Sequence, residues 1–241
     1  MITLADEALV LRRIPYGETS LVVHFFTRNH GLMAAMAKGA RGIKSAHRAP
    51  LAAMHTLTVQ LRLRDMTGMA TLHSADILYG RHGLTASPLC LAAAQVATEA
   101  VYRGVASGDG NQPLFHALSQ TLDGLNRGQS PAETLAKGLA QMLTAMGYGF
   151  DMQRCHRCET GTSSLAYSWQ SGQMVCSACC RGERFLLLSE SACRAFAGSQ
   201  GEVSLSGEET SLLYRLAVAT LEKHGKAKLV SDTFFRQYLG W

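Results

Sequence analysis

Cys155-x-x-Cys158, seventeen intervening residues, then Cys176-x-x-Cys179 is the pattern that most narrows what this chain can fold into. Each CxxC closes a tight turn that brings two thiolates to one side. Two such pairs at this separation predict a tetrahedral four-sulfur zinc site. The stretch between them, "ETGTSSLAYSWQSGQMV", reads as a hairpin with Tyr167 and Trp169 in a strand and Ser171-Gly172 at the turn, returning the second pair to face the first. Four sulfur ligands leave no open coordination position, so such a zinc is structural rather than catalytic. Cys180 and His156 adjoin the ligands, and either can substitute for a neighbour. Arg154, Arg157 and Arg181 can offset the charge of a metal–tetrathiolate centre or touch phosphate. Six of the seven cysteines lie between Cys155 and Cys193. In a chain read as cytosolic, such clustering argues for metal rather than for a disulfide framework. A thioredoxin-like redox pair is disfavoured because neither CxxC follows a strand in a βαβ unit. Cys90 and Cys193 are expected to pack within helices.

The second constraint is the distribution of charge. The net charge is only +5, but from Thr19 to Arg64, 46 residues, there is no Asp or Glu. The same window carries Arg28, Lys38, Arg41, Lys44, Arg48, Arg62 and Arg64. A solvated surface usually mixes both signs. An uncompensated run of cations is instead the footprint of a polyanion site. Its densest part, "AKGARGIKSAHRAP" (37–50), is broken by Gly39 and Gly42, which let a backbone come close to a phosphate strand.

Residues 1 to 80 read as strands. "LVLRRI" (9–14), "SLVVHFFT" (20–27), "LMAAMAKG" (32–39), "HTLTVQLRLR" (55–64) and "MATLHSADIL" (69–78) are separated mostly by short turns, with Thr67-Gly68 joining the last two. The fourth is the clearest: Leu57, Val59, Leu61 and Leu63 alternate with Thr56, Thr58, Gln60, Arg62 and Arg64, giving one buried face and one basic face. The third is ambiguous, because Ala and Met suit a helix equally. Five short strands fit a small antiparallel barrel, of OB or SH3-like type. From Pro88 onward the composition turns helical. Segments 87–108, 111–128 and 130–147 each open on a cap residue near a proline, with Glu133 three residues after Ser130 and Gly147 as the stop. They predict a bundle over 81–149. After the cysteine segment (150–185), helices are expected at 189–199, 206–225 and 231–239, the last capped by Ser231 or Asp232, packing on the bundle as a C-terminal unit (186–241). The fold class is therefore α+β.

Catalytic signatures are lacking. There is no GxxxxGK[ST], HExxH or GxSxG, and no carboxylate pair suited to acid–base work, so the reading is a non-enzyme. There is no apolar run long enough for a membrane span and no secretory signal at the N-terminus, which points to the cytoplasm.

With these features in hand, the chain resembles the bacterial recombination mediator family RecO. The stretches that carry the resemblance are "ALVLRRIPYGETSLVVHFFTRNHG", "MAKGARGIKS" and "MLTAMGYGFDMQRCHRC", and it runs over essentially the whole chain. It implies an N-terminal OB-fold (1–80), a central helical bundle and a treble-clef-like zinc segment. It implies DNA repair and homologous recombination: binding of single- and double-stranded DNA, annealing of complementary strands, and help in loading recombinase onto strands coated by single-strand-binding protein. The implied partners are the RecR protein and the acidic C-terminal tail of the single-strand-binding protein. Lys38, Arg41 and Lys44 match the basic family stretch, Arg48 falls just past it, and Arg28 matches the cation of the FTRxHG stretch. The implied zinc ligands are Cys155, Cys158, Cys176 and Cys179, while Glu159 stands where the family often has glycine. Aromatics suited to stacking bases are sparse: Tyr16, Phe25 and Phe26 are the barrel candidates before Tyr79, so contact with the phosphate backbone should dominate. The competing reading is a protein–protein adaptor whose helices take an acidic peptide, with DNA contact incidental; Tyr102, Arg103 and Arg127 are its candidate residues.

Overall fold

The computed structural model describes residues 2–52, 54–64, 68–108, 110–161, 165–196, 204–225 and 228–241. Strands β1 (Ile2–Tyr16), β2 (Ser20–Thr27), β3 (Gly31–Ala37), β4 (Thr56–Leu63) and β5 (Ala70–Tyr79) close a barrel in the order β1-β2-β3-β5-β4. All pairings are antiparallel except β3 with β5, which meet in parallel through Ala35↔Ala70 and Met36↔Thr71. This closure is that of an OB-type barrel and settles the choice against an SH3-like one. β4 alternates from Leu57 onward: Leu57, Val59, Leu61 and Leu63 are buried, and Thr58, Gln60 and Arg62 face water, while Thr56, expected on the polar face, is buried where its hydroxyl accepts from the Arg81 guanidinium. The ambiguous third segment is a strand. Its seven residues pair with β2 from Leu21↔Ala37 to Thr27↔Gly31, and that pairing overrides the helical preference of Ala and Met. The expected turn residue Thr67 lies outside the described residues.

β1 is longer than the apolar run 9–14. Its first half pairs with β4 (Ile2↔Leu63 to Leu9↔Thr56) and its second with β2 (Ala8↔Thr27 to Tyr16↔Ser20), with a bulge between Val10 and Arg12. Asp6 hides the strand in the sequence. It is buried, and its carboxylate accepts from the Asn29 backbone N–H (3.0 Å) and side-chain amide (2.8 Å) and meets His30 Nδ1 at 2.8 Å. The β2–β3 turn thus satisfies a charge that would otherwise exclude this segment from a barrel.

The helices are α1 (Pro88–Gly104), α2 (Gln112–Asn126), α3 (Pro131–Ala145), α4 (Glu190–Phe196), α5 (Gly207–Gly225) and α6 (Val230–Leu239). Residues 197–199 of the expected fourth helix lie outside the described residues. Ser87 and Asn111 cap α1 and α2 through Cys90 N and Leu114 N. Two expected caps differ. Ser130 stands at the N-cap of α3 without a side-chain cap bond, and Glu133 binds Lys137 (2.7 Å) and accepts from Leu205 N (3.1 Å) instead. α6 is capped from another helix. Glu99 of α1 accepts from Val230 N (3.1 Å), Ser231 N (2.8 Å) and the Ser231 hydroxyl (2.6 Å), which leaves Asp232 free to accept from the buried Tyr214 hydroxyl at 2.6 Å.

Two cores result. One fills the barrel around Phe25, Leu57, Val59 and Leu61. The other joins α1–α6 to a small sheet, β7 (Gln173–Cys176), β6 (Leu165–Ser168) and β8 (Phe185–Leu187) in that order, and takes Leu9 and Phe26 from the barrel's outer wall. Phe25 and Phe26 therefore bury on opposite sides of one strand. Phe26 stacks on Phe115 of α2 with ring centroids 6.2 Å apart. Arg81 seals the junction. It is fully buried, with Nε on Asp123 at 2.7 Å, Nη1 on Met54 O and Thr56 Oγ1 (both 3.0 Å) and Nη2 on Ser119 Oγ at 2.8 Å. No described helix is long and apolar enough to cross a membrane.

Candidate nucleic-acid interface and metal centre

The strand register sorts the sequence-predicted cations between the two ends of the barrel. β3 ends at Ala37, so Lys38 begins the loop that leaves this end. Arg62 of β4 pairs with Thr71 of β5, and Thr71 pairs with Met36 of β3, so Arg62 lies two strands across from the start of that loop. Lys38, Arg41, Lys44, Arg48, Arg62 and Arg64 are all exposed. Arg62 also lies 3.3 Å from His73 Nε2.

The loop from 38 to 52 is a chain of turns. Gly42 N donates to Gly39 O, Ser45 N to Gly42 O, Arg48 N to Ser45 O and Leu51 N to His47 O, all between 3.0 and 3.1 Å. Gly39 takes φ 65°, the left-handed region that a side chain disfavours. Ala40, Pro50 and Leu51 are buried and hold the loop down, so its cations are presented on a folded surface. Arg41 pins it sideways to the β1–β2 turn, its N–H reaching Thr19 O at 2.8 Å and its Nη1 reaching Gly17 O at 3.2 Å.

Arg28 is not brought to this end. It follows β2 at the opposite end and pairs with Glu7 Oε2 at 3.2 Å. Glu7 lies outside the acid-free window, which is why linear charge counting left Arg28 uncompensated. The sequence reading passed over Arg12 and Arg13. Both are exposed on β1; Arg13 Nη1 donates to Leu51 O at 2.8 Å, at the foot of the basic loop, and Arg12 lies 5.7 Å from the Tyr102 ring centre. The adjacent "RR" in the sequence carried the signal, but only the pairing of β1 with β2 shows where it points.

A cleft of about 770 Å³ separates β1, α1 and α6, with Val10, Leu91, Tyr102 and Phe234 among its apolar walls and Arg12 and Arg103 among its polar ones. Arg103 is committed to Glu99 at 2.6 Å. Burial works against the charge of Glu99, but the hydrogen bonds from Ser231, Val230 and Arg103 outweigh it and hold the carboxyl below its ordinary range. His24 packs edge-on against Tyr102; burial, then the Arg12 charge, lower its pKa. Of the adaptor candidates, Tyr102 and Arg103 share this cleft, whereas Arg127 caps the far end of α2.

The four cysteines converge as the spacing predicts. Among the described residues they form the one cluster of metal-ligating side chains, with all four Sγ atoms within 4.8 Å of one another. Cys158 and Cys176 Sγ are 3.8 Å apart. That matches the edge of a tetrahedron with metal–sulfur bonds of about 2.3 Å, roughly 3.8 Å. The knuckles are built by backbone bonds: Glu159 N donates to Cys155 O (2.8 Å), Cys180 N to Cys176 O (3.1 Å), and His156 N to Met174 O (2.9 Å) across the hairpin. Neither neighbour joins the cluster. Cys180 is buried with its thiol on Ser177 O, and His156 is exposed and outside the cluster. Trp169 falls in the turn rather than in β6. Glu159, at φ 57°, is the one non-glycine with positive φ among the described residues, at the position where a glycine would be unstrained.

Loss of hydration opposes the Cys155 thiolate, but N–H groups of Cys158, Cys176 and Arg157 turned toward its sulfur bring its pKa down to about 6. The sulfurs of Cys176 and Cys158 crowd Cys179, which is pushed up to about 12. Four thiols gathered this closely cannot all ionise without a cation among them. Arg157 is not free for phosphate: it binds Glu183 at 2.6 Å and the Cys179 carbonyl at 2.8 Å.

Comparison with known proteins matches two family models along the chain. Residues 1–81 match the family model for the recombination protein O N terminal, and residues 87–239 match that for its C terminal. Three relatives named DNA repair protein RecO are representative. That of Bacillus velezensis is 26% identical over 239 residues, covering 96% of this chain and 93% of its own. That of Exiguobacterium sp. is 28% identical, covering 96% of each. That of Ralstonia nicotianae is 34% identical over 148 residues, covering 61% of this chain and 53% of its own. With the two family models matched in succession along its length, the chain belongs to the RecO family of DNA repair and recombination proteins.

Proposed function

We propose that this chain is a non-enzymatic recombination mediator of the cytoplasm and nucleoid. It binds single- and double-stranded DNA, anneals complementary strands and assists recombinase loading on strands coated by single-strand-binding protein. The observation that carries the reading is the folded loop at one end of the barrel, which presents Lys38, Arg41, Lys44 and Arg48 to solvent beside Arg62 and Arg64. Such an array neutralises successive phosphates without reading base sequence. Arg28, at the other end and paired with Glu7, lies outside this track.

The four-cysteine centre holds Zn2+ in this reading. The all-sulfur donor set suits zinc, and a closed site contributes folding energy rather than chemistry. The cleft between β1, α1 and α6 suits the acidic tail of the single-strand-binding protein, with apolar walls for its side chains and Arg12 at the rim for a carboxylate. RecR is the second protein partner.

The test is strand annealing. Two complementary labelled oligonucleotides, precoated with single-strand-binding protein, are mixed with and without this protein at two salt concentrations. Acceleration that fades with salt is expected. Tail binding without acceleration would replace the mediator with a protein–protein adaptor, for which the cleft is the supporting feature.

A further inference from the structure

We infer that the loop end of the barrel contacts nucleobases as well as phosphates. Ile43 and Tyr16 are the base-contacting side chains for a single strand whose phosphates lie on Lys38, Arg41 and Lys44. The inference rests on the reading of the loop as the DNA surface and adds a chemistry that the scarcity of aromatics in the sequence argued against.

Ile43 is 88% exposed, more than any other large apolar side chain among the described residues. The loop that carries it buries Ala40, Pro50 and Leu51, so the fold here can cover apolar groups and does not cover this one. Its position is "ARGIKS", one glycine from Arg41 and adjacent to Lys44. Tyr16 ends β1 and is 59% exposed, with Ile14 half-covered two residues earlier on the same side of the strand. From Arg12 to Tyr16, β1 pairs with β2 alone and is exposed on both faces, so the end of this ribbon stands out from the barrel.

The turn and the loop are one piece. Arg41 is bonded to Gly17 O and Thr19 O, and Gly39 N donates to Ser20 Oγ at 3.3 Å. Tyr16 and Ile43 therefore flank a common seam lined with cations. Charge selects the occupant. Glu18 is the one acid in the turn, against Lys38, Arg41 and Lys44, so the apolar groups are offered to a polyanion. A polyanion with apolar faces of side-chain size is a nucleic acid, and unpaired bases present those faces freely. A phenol ring provides a stacking face, and a projecting aliphatic residue acts as a wedge between neighbouring bases.

The test compares binding of the full chain to oligothymidylate and to an abasic phosphodiester strand of equal length over a range of salt. Wild type should favour the base-bearing strand by about tenfold. Tyr16→Ala and Ile43→Ser should each reduce that preference, leaving abasic affinity, its salt slope and the thermal unfolding of these exposed-site variants unchanged. Equal wild-type binding of both strands, or variants that keep the full preference, would overturn the inference while the phosphate track stands. If Lys38, Arg41 and Lys44 changed together to Ala leave abasic binding intact, the track itself fails and the base contacts with it. Sedimentation provides one more check: a wild-type dimer that Ile43→Ser turns into monomer would assign Ile43 to a second copy of the chain.

Discussion

Changing Lys38, Arg41 and Lys44 together to Ala isolates the electrostatic part of the proposed DNA binding, and the number of cations on the track gives its size. The proposed track counts Lys38, Arg41, Lys44, Arg62 and Arg64 as its phosphate contacts, with Arg48 further along the loop. Each phosphate neutralised on a single strand contributes about −0.7 to the slope of log K against log salt, so five give a slope of about −3.5. Removing three leaves about −1.4. Between 50 and 200 mM salt, a fourfold change, wild type should lose about 130-fold in affinity and the triple variant about 7-fold. Arg28→Ala is the control that the sequence alone would not have chosen. Arg28 is exposed, cationic and inside the acid-free window, yet it is paired with Glu7 at the other end, so its removal should leave the slope unchanged. Fluorescence anisotropy with an unstructured oligonucleotide at five salt concentrations measures all three slopes. A triple variant with the wild-type slope, or an Arg28→Ala protein as flattened as a loop variant, would falsify the assignment of the track to this end.

Three further outcomes are expected. Arg81→Ala removes a buried guanidinium that makes four polar contacts at the barrel–helix junction, and should cost about 3 kcal/mol in urea unfolding, the low end for a broken buried pair because Asp123 keeps some solvent; a loss under about 1 kcal/mol would show the junction to be held by apolar contacts alone. Cys176→Ala should abolish bound metal, read by atomic emission, and lower the denaturant midpoint, because Leu165, Tyr167, Met174 and Val175 of the hairpin belong to the helical core; the same midpoint without metal would mean that the hairpin folds unaided. The Glu209 carboxyl is held at about 2 by the Ser189 hydroxyl first, then the Ser191 hydroxyl and the Ser206 N–H. Its folded-state pKa is depressed, so its contribution is complete above about pH 4.5 and is lost as pH falls toward 2; Glu209→Gln should flatten the stability profile in that window, and an unchanged acid limb would refute the linkage.

Local chemistry made much of this protein legible. The CxxC spacing closes a four-sulfur site through backbone turns that need only the residues between the cysteines. The period-two pattern of 57–63 and the Ser87 cap likewise depend on near neighbours, and both appear where their residues place them. What the linear pattern hid depends on contacts across distance. Asp6 enters a barrel strand because the β2–β3 turn brings amide donors to it. Glu99 caps α6 from 131 residues away, so neither local candidate was needed. The seven cations of the acid-free window carry equal weight in the sequence, and only the strand register sets Arg62 across from the start of the loop that carries Lys38 and hands Arg28 to Glu7. A charge's neighbours are set by folding rather than by sequence separation, so composition shows that the chain carries a basic field, while tertiary structure decides which side of the molecule bears it.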